Sequence, residues 1–584
     1  MPDIRKMMTG DEAVARGAWE AGVKVAAAYP GTPSTEILEN IARYDNIYAE
    51  WSPNEKVALE VAGNAAIAGV RAIASMKHVG LNVAADPLMT LSYTGIGRGL
   101  VVVSADDPGM HSSQNEQDNR YYAKFAKIPM FEPANSQEAL DMTEEAFAIS
   151  EEYDTPVLIR LTTRICHGKS PVSTGERIEV KTKEFKRETA KYVMIPGHAR
   201  KRHVIVEERT LRLRELSEKT KVNRIIKGSK EIGIITSGVA SQYVLDVVPH
   251  ASFLLLGMTF PLPENLIREF DSGVDKLYAV EELEPYLEEH IRMLGIKVIG
   301  KEIFPRCGEL SPELIRKGLT GEKAALTRVP EDIPIPMRPP VLCAGCPHRG
   351  FFHVIRKNKL FVTGDIGCYT LSVLPPLSSM DTCICMGASI SGAIGFSKAF
   401  EDQPGKKVVA VLGDSTFMHS GLTGLMDTVY NKSNVITCVL DNRTTAMTGH
   451  QEHPGTGFTV KGESTHSVDI AEVAKALGVK HVYTVDPYNL AETDSVVKTC
   501  IKLDSPSVIV VKRACALKVR KTDFALSVIR QDLCKKCGTC LTIGCPAILK
   551  KGDVFLIDRG FCYGCGICRQ VCPFGAIEAI EDIQ

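Results

Sequence analysis

The segment VVAVLGDSTFMHSGLTGLMDTVYNKSNVITCVLDNRTT, residues 408–445, sets the architecture of the chain. Its first apolar run, Val408–Leu412, stops at Gly413-Asp414-Ser415. A helical stretch follows from about Gly421, and a second apolar run, Val435–Leu440, stops at Asp441-Asn442-Arg443-Thr444. Two short apolar runs around a helix describe a βαβ crossover, whose strands are parallel and covered on both faces. Both polar turns then stand at the carboxyl ends of neighbouring strands, where open α/β sheets bind ligands. Asp414 offers a hard oxygen for Mg2+, and Asn442 and the Thr444 carbonyl add neutral ones. The turn at Gly413 and Ser415 lets backbone approach a diphosphate anchored by such an ion.

The same alternation extends outward in both directions. VKVAAAYP (23–30), GLVVVSADDPG (99–109) and TPVLIRLTTR (155–164) are strand-like runs separated by Ala/Gly-rich helical stretches. EIGIITSGVA (231–240), FLLLGMTFPLP (253–263) and KLYAVEE (276–282) build a second α/β block. The expected fold class is therefore α/β and multidomain, with parallel sheets covered by helices on both faces. The expected divisions are 1–170, a polar connector at 171–230, a block at 231–328, a Pro-rich linker at 329–340, a third block at 341–525 and a tail at 526–584. The connector contains Ala199-Arg200-Lys201-Arg202-His203, but acids follow at Glu207, Glu208, Glu215 and Glu218, so a solvated segment is expected over a nucleic-acid patch.

Composition narrows the function classes. The 584 residues carry 69 Lys+Arg against 70 Asp+Glu, a net charge of −1, so no global field draws nucleic acid or acidic lipid. Hydrophobic residues make up 44% and mean hydropathy is −0.01, which excludes disorder by composition. No apolar run approaches the roughly 18–20 residues of a membrane span, and MPDIRKMMTGDEAVARG lacks the apolar core of a signal peptide. A cytoplasmic protein is expected.

Eight of the 18 cysteines fall in residues 526–584. They read Cys534-x2-Cys537-x2-Cys540-x4-Cys545-Pro546 and Cys562-x2-Cys565-x2-Cys568-x3-Cys572-Pro573. Two-residue gaps let three thiolates curl around one cubane, and in two-cluster ferredoxins the fourth comes from the other run. This predicts a small ferredoxin-like α+β domain. One [4Fe–4S] cluster would sit on Cys534, Cys537, Cys540 and Cys572, and a second on Cys562, Cys565, Cys568 and Cys545. The first run has four residues where the bacterial pattern has three. Zinc also favours four-cysteine sites, but two tandem triplets, each with a later Cys-Pro, favour iron.

The Asp414-to-Asn442 spacing resembles the motif of thiamine-diphosphate (ThDP) enzymes, although Ser415 stands where Gly or Ala is usual. Over essentially its whole length the chain resembles the 2-oxoacid:ferredoxin oxidoreductases. The resemblance is carried by YPGTPSTEI (29–37), WSPNEKVALEVAGNAAIAGVRA (51–72), KHVGLN (77–82), GMHSSQNEQDNR (109–120), CAGCPHRG (343–350), GDIGCY (364–369), GDSTFMHSG (413–421) and LDNRTTAMTGHQEHPGTG (440–457). It implies an N-terminal pyrimidine-binding domain, a middle transketolase C-terminal-like domain and a third, diphosphate-binding domain. It further implies ThDP-dependent oxidative decarboxylation of an aryl 2-oxo acid, indole-3-pyruvate, with coenzyme A and oxidised ferredoxin, and a smaller beta subunit as partner. A non-oxidative ThDP decarboxylase, or an electron-transfer subunit with a degenerate ThDP module, is the alternative.

The resemblance also assigns residues. A Glu is expected to hydrogen-bond the pyrimidine N1′, so that the 4′-imino group acts as a base; Glu55 is the choice and Glu60 the second. Thr32 matches a residue contacting the 2-oxo acid, or else its hydroxyl caps a helix opened by Pro33. His348, with His111, Arg120 and His450, is a candidate for gripping carboxylate or moving protons. Cys343, Cys346 and Cys368, with Cys515 after the last strand, would hold a third cluster beside ThDP; otherwise CAGC is a tight apolar turn. Cys383, Cys385, Cys438 and Cys500 are expected to be buried thiols.

Overall fold

Gly413 pairs with Leu440 in a parallel ladder, so the two polar turns of the 408–445 segment emerge side by side from adjacent strands. The structure, a computed structural model, describes residues 5–321, 339–400, 403, 407–519 and 525–580. The expected Pro-rich linker, apart from Pro339 and Pro340, lies outside the described residues. The chain divides into two units, Met1–Glu331 and Asp332–Gln584.

In the first unit a seven-stranded sheet runs in the order Met258–Phe260, Met130–Phe131, Val157–Thr162, Leu100–Asp106, Ala72–Lys77, Val25–Ala28, Tyr48–Trp51. All neighbours are parallel except the first pair. Its central strands are wholly buried runs rich in Val, Ala, Leu and Ile, as a sheet covered on both faces demands. The edge strand Met258–Phe260 comes from the block expected to be a separate domain, so the first two blocks share one sheet. The rest of that block forms a four-stranded sheet, Leu277–Val280, Ser229–Ser237, Ala251–Leu256, Arg224–Ile226.

A buried ion network joins the two blocks. Arg120, 1% exposed, donates to Glu281 Oε2 at 2.6 Å, to Asp118 Oδ1 at 2.8 Å and to the Glu282 and Glu284 carbonyls. Arg160 donates to Asp106 at 2.8 Å and to Glu132 at 3.3 Å, while Ser237 and Thr259 donate to the same Glu132 carboxylate. Paired and hydrogen-bonded in this way, buried charge is tolerated. The expected connector also differs from expectation. It contains a helix, Pro196–Ser217, whose Arg202 and Arg209 are buried, donating to the Tyr93 carbonyl and to the Ser92 and Asp154 carbonyls. Part of the basic run is thus internal.

In the second unit a six-stranded parallel sheet runs Thr382–Cys383, Phe361–Gly364, Val408–Gly413, Ile436–Asp441, Ser507–Lys512, His481–Val485. The cysteine-rich tail adds two antiparallel hairpin-like pairs, Ser527–Ile529 with Ile577–Ala579 and Ile548–Lys551 with Val554–Ile557. Its apolar core is continuous with that of the sheet, from Leu342, Phe351 and Val411 through Ile543, Phe555 and Ile577. Arg349 clasps the two together, donating from Nε to the Cys343 carbonyl at 2.9 Å and from Nη1 to the Ile543 carbonyl at 3.1 Å and the Gly544 carbonyl. Gly345, at φ +74°, lies where a Cβ would meet the Tyr563 ring at 2.3 Å, so CAGC can turn this tightly against the tail only with glycine there. No helix among the described residues is long and apolar enough to cross a membrane.

Candidate functional site

Asp414 is the first residue of a helix that starts directly at the strand end, rather than near Gly421 as expected. Its opening turn widens into a π-helical turn at Phe417–Gly421, a distortion frequent at functional sites. The Asp414 carboxylate, 2% exposed, accepts from Ser415 N at 2.9 Å and from Arg443 N at 2.8 Å. His453 Nε2 stands 3.2 Å from its Oδ2. Asn442 Oδ1 accepts from Thr444 N at 3.2 Å, and the Thr445 hydroxyl donates to Ser415 at 3.0 Å. Ser415 is thus used in the turn, where a Gly or Ala would leave Thr445 without this acceptor. Burial, then the charge of Asp414, pushes Asp441 up to about 6. This concentration of carboxylate and amide oxygen on buried turns suits a hard dication and the diphosphate it carries.

Asp365, fully buried at the end of the neighbouring strand, accepts from Ile366 N at 2.8 Å, from Gly387 N at 2.9 Å and from Ser389 N at 3.2 Å. Burial raises it to about 6 despite those bonds. Sequence reasoning missed Asp365 and His453; their position just past parallel strand ends was the available signal for the first, and nothing local marked the second.

Cys343, Cys346, Cys368 and Cys515 line a single cavity, together with His348, Asn442 and His450. The cavity therefore touches both the sulfur set and the Asn442 turn. Burial pushes Cys346 up to about 12 against the pull of His348 and Arg349, and burial, then the Cys515 and Cys343 sulfurs, pushes Cys368 up to about 11; burial takes His348 down to about 4. The tail groups its thiols across the two runs. Cys534, Cys537, Cys540 and Cys572 line one cavity with Ile529, Phe555 and Phe574. Cys545, Cys562, Cys565 and Cys568 line another with Ile543, Ile548 and Tyr563. Four thiols lining an apolar hollow fit a cubane, whose sulfides need shielding from solvent. Cys438 and Cys500 are buried as expected, but Cys383 and Cys385 are exposed. Cys383 ends a two-residue strand at the edge of the sheet, and Cys385 lies two residues beyond it.

In the first unit, Glu55 opens the helix Glu55–Ile67, whose Asn54 cap accepts from Val57 N. It is 4% exposed, and a Cβ on Gly80 would lie 2.6 Å from its Oε1, so the carboxylate lies on bare backbone. Glu60, by contrast, is 39% exposed and paired with Lys56 on the surface. Lys77, which the sequence did not single out as a site residue, is 9% exposed, donates to the Ser112 carbonyl at 3.1 Å and packs its stem against Gly31. Burial takes it down to about 8 against the pull of Asp107 and Glu55. Thr32 is half-buried, and its carbonyl accepts from the Ser112 hydroxyl at 3.2 Å. The capping alternative for Thr32 is corrected: the helix starts at Thr35, its cap position is Ser34, and no side-chain cap bond forms. Arg120 is corrected as a substrate candidate, because its guanidinium is committed to the internal network. His111 is 49% exposed and sits 3.2 Å from Glu309.

Three family models match the chain. Residues 16–224 match the thiamine-diphosphate-binding model of pyruvate flavodoxin/ferredoxin oxidoreductases, 365–511 the C-terminal binding domain of thiamine pyrophosphate enzymes, and 555–578 the 4Fe-4S binding domain. The indolepyruvate oxidoreductase subunit IorA of Methanothermobacter thermautotrophicus is 41% identical, over 98% of this chain and 97% of that one. Subunit IorA of Pyrococcus abyssi is 42% identical, over 100% and 98%. The chain belongs to the indolepyruvate oxidoreductase subunit IorA family. A 2-oxoglutarate:ferredoxin oxidoreductase from Magnetococcus marinus is similar over 54% of this chain and 65% of that one, at 18% identity and a TM-score of 0.45. As an IorA-family chain it is an oxidoreductase with an iron–sulfur acceptor, using ThDP and iron–sulfur clusters for 2-oxo acid:ferredoxin oxidoreduction.

Proposed function

We propose that this chain carries out the oxidative decarboxylation of indole-3-pyruvate with coenzyme A and oxidised ferredoxin, giving the aryl-acetyl-CoA, CO2 and reduced ferredoxin. It works with a smaller beta subunit and uses Mg2+ and three [4Fe–4S] clusters. The observation that carries this reading is the single cavity lined by Cys343, Cys346, Cys368, Cys515 and Asn442. A set of four thiols in one cavity with Asn442 supports a cluster beside the turn that would hold the diphosphate metal, within reach for direct transfer of single electrons.

Bound ThDP would supply a nucleophilic carbanion and an electron sink for a decarboxylation, and the clusters would supply one-electron acceptors. The chain's own groups do the rest. Asp414, Asn442 and the Thr444 carbonyl would hold Mg2+, and the turn after Gly413 would lie beside the diphosphate it carries. Glu55, buried and aimed across Gly80, holds a proton at the pyrimidine N1′. Thr32 positions the 2-oxo acid, and Lys77 supplies a buried cation suited to its carboxylate. His348, kept neutral by burial, can accept or return a proton in the sulfur-lined cavity. Cys534, Cys537, Cys540 and Cys572 would hold one tail cluster and Cys545, Cys562, Cys565 and Cys568 the other.

Anaerobic assay of this chain with its partner subunit, indolepyruvate, coenzyme A and a viologen dye tests the proposal. Indoleacetyl-CoA formed with dye reduction is the expected result. Aldehyde without dye reduction, or no turnover by a cofactor-loaded complex, overturns it.

A further inference from the structure

Away from the groups used above, Asp11, Glu36 and His167 converge in the first unit. One ligand atom from each lies within 4.8 Å of the other two. Asp11 sits in the first turn of the helix Gly10–Glu20, is 0% exposed, and has neither carboxylate oxygen hydrogen-bonded. Glu36 Oε2 is likewise buried without a hydrogen-bond donor and stands 3.8 Å from His167 Nε2. The Cys166 thiol is fully buried beside Asp11. Two carboxylates at this separation repel, and burying an unpaired carboxylate costs several kcal/mol. The local backbone nevertheless holds them together: a Cβ on Gly10 would lie 2.2 Å from the Ile165 carbonyl, so the helix start is pressed against the Ile165–His167 segment.

We propose that Asp11, Glu36 and His167 bind one divalent ion of the zinc class. Two carboxylate oxygens and one imidazole nitrogen form a mixed donor set that such ions favour over Mg2+ or Ca2+. The ion neutralises the carboxylate pair and joins three elements: the helix Gly10–Glu20, the helix Thr35–Ile41 and the segment Thr163–His167. Glu36 follows Gly31-Thr32-Pro33 by three residues, so the ion fixes the far end of that turn. The site is reachable, because the Glu36 and His167 side chains are 46% and 42% exposed.

The test uses the full chain, purified anaerobically with clusters intact, saturated with ThDP and Mg2+ and dialysed against low-micromolar zinc. Zinc and iron are counted by mass spectrometry in the native chain, in His167→Ala and in Glu36→Gln, two changes at half-exposed positions. The expected result is one zinc per chain more in the native protein than in either variant, with equal iron, and a zinc-dependent rise in melting temperature only in the native protein. Equal zinc in all three, or no zinc in the native chain, overturns the site and leaves Asp11 and Glu36 as an acid pair sharing a proton.

Discussion

The Arg443 backbone N–H donates to Asp414 Oδ2 over 2.8 Å, so the turn that ends one strand is clasped by the turn that ends the next. A carboxylate held by that bond and by Ser415 N needs little reorganisation to face a dication. Asp414→Ala is therefore expected to weaken retention of ThDP by at least about tenfold, roughly 1.4 kcal/mol. Vitamin bound after anaerobic desalting measures this. Retention equal to that of the native chain would remove the proposed role.

Glu55 and Glu60 lie five residues apart on one helix but in opposite surroundings. Glu55→Gln is expected to lower kcat on the order of 10²–10⁴-fold, the range for loss of a general acid–base group. Glu60→Gln should leave it within about twofold, because an exposed pair such as Lys56–Glu60 contributes only about 0.3–0.5 kcal/mol even to stability. Single-turnover rates in anaerobic stopped flow separate the two.

Iron content checks the thiol groupings. Cys572→Ala should cost about four irons per chain and abolish the signal of the cluster otherwise held by the first run, despite lying in the second. Cys515→Ala should independently remove about four more, lowering a native content of about twelve to about eight. A native content of about eight would leave the chain with two cubanes.

Removing Arg120 takes the cation away from the buried carboxylates of Asp118 and Glu281, while Glu132 keeps Arg160. Arg120→Met is expected to destabilise the first unit by about 3–5 kcal/mol, seen as a lower denaturation midpoint. At a temperature where the variant stays folded, KM for the 2-oxo acid should be unchanged. A raised KM with native stability would return Arg120 to the substrate.

Glu282 is 5% exposed, and burial pushes it up to about 7 against the bond from Leu310 N. Its proton is held more tightly folded than unfolded, so this group favours folding at low pH. That contribution fades as pH climbs from about 4.5 through about 7. The change is on the order of 3 kcal/mol. Glu282→Gln should flatten the decline in stability across that window, as followed by thermal melts at stepped pH.

Much of this is legible in the sequence alone. Residues 408–445 announce their crossover because apolar runs and polar turns alternate at strand and helix lengths, and the tail cysteines advertise ligands because their spacing is itself the coordination geometry. What stayed hidden depends on distant packing. The strand Met258–Phe260 has three residues and pairs with Met130–Phe131, about 128 positions away, so no local pattern could assign it to the first sheet. Asp365 and His453 gain meaning only from burial beside Asp414's strand. The exposure of Cys383 and Cys385 follows from an edge location that composition does not reveal, and the burial of Arg202 and Arg209 ran against a charge-rich sequence.

Arg349 holds the CAGC turn and the tail carbonyls of Ile543 and Gly544 in one guanidinium fork. A carrier that had to swing between donor and exit would need a hinge at this junction, and the fork replaces the hinge with a rivet. Passage of electrons between the CAGC turn and the tail is then governed by fixed spacing and relative reduction potentials, so that step should be indifferent to solvent viscosity.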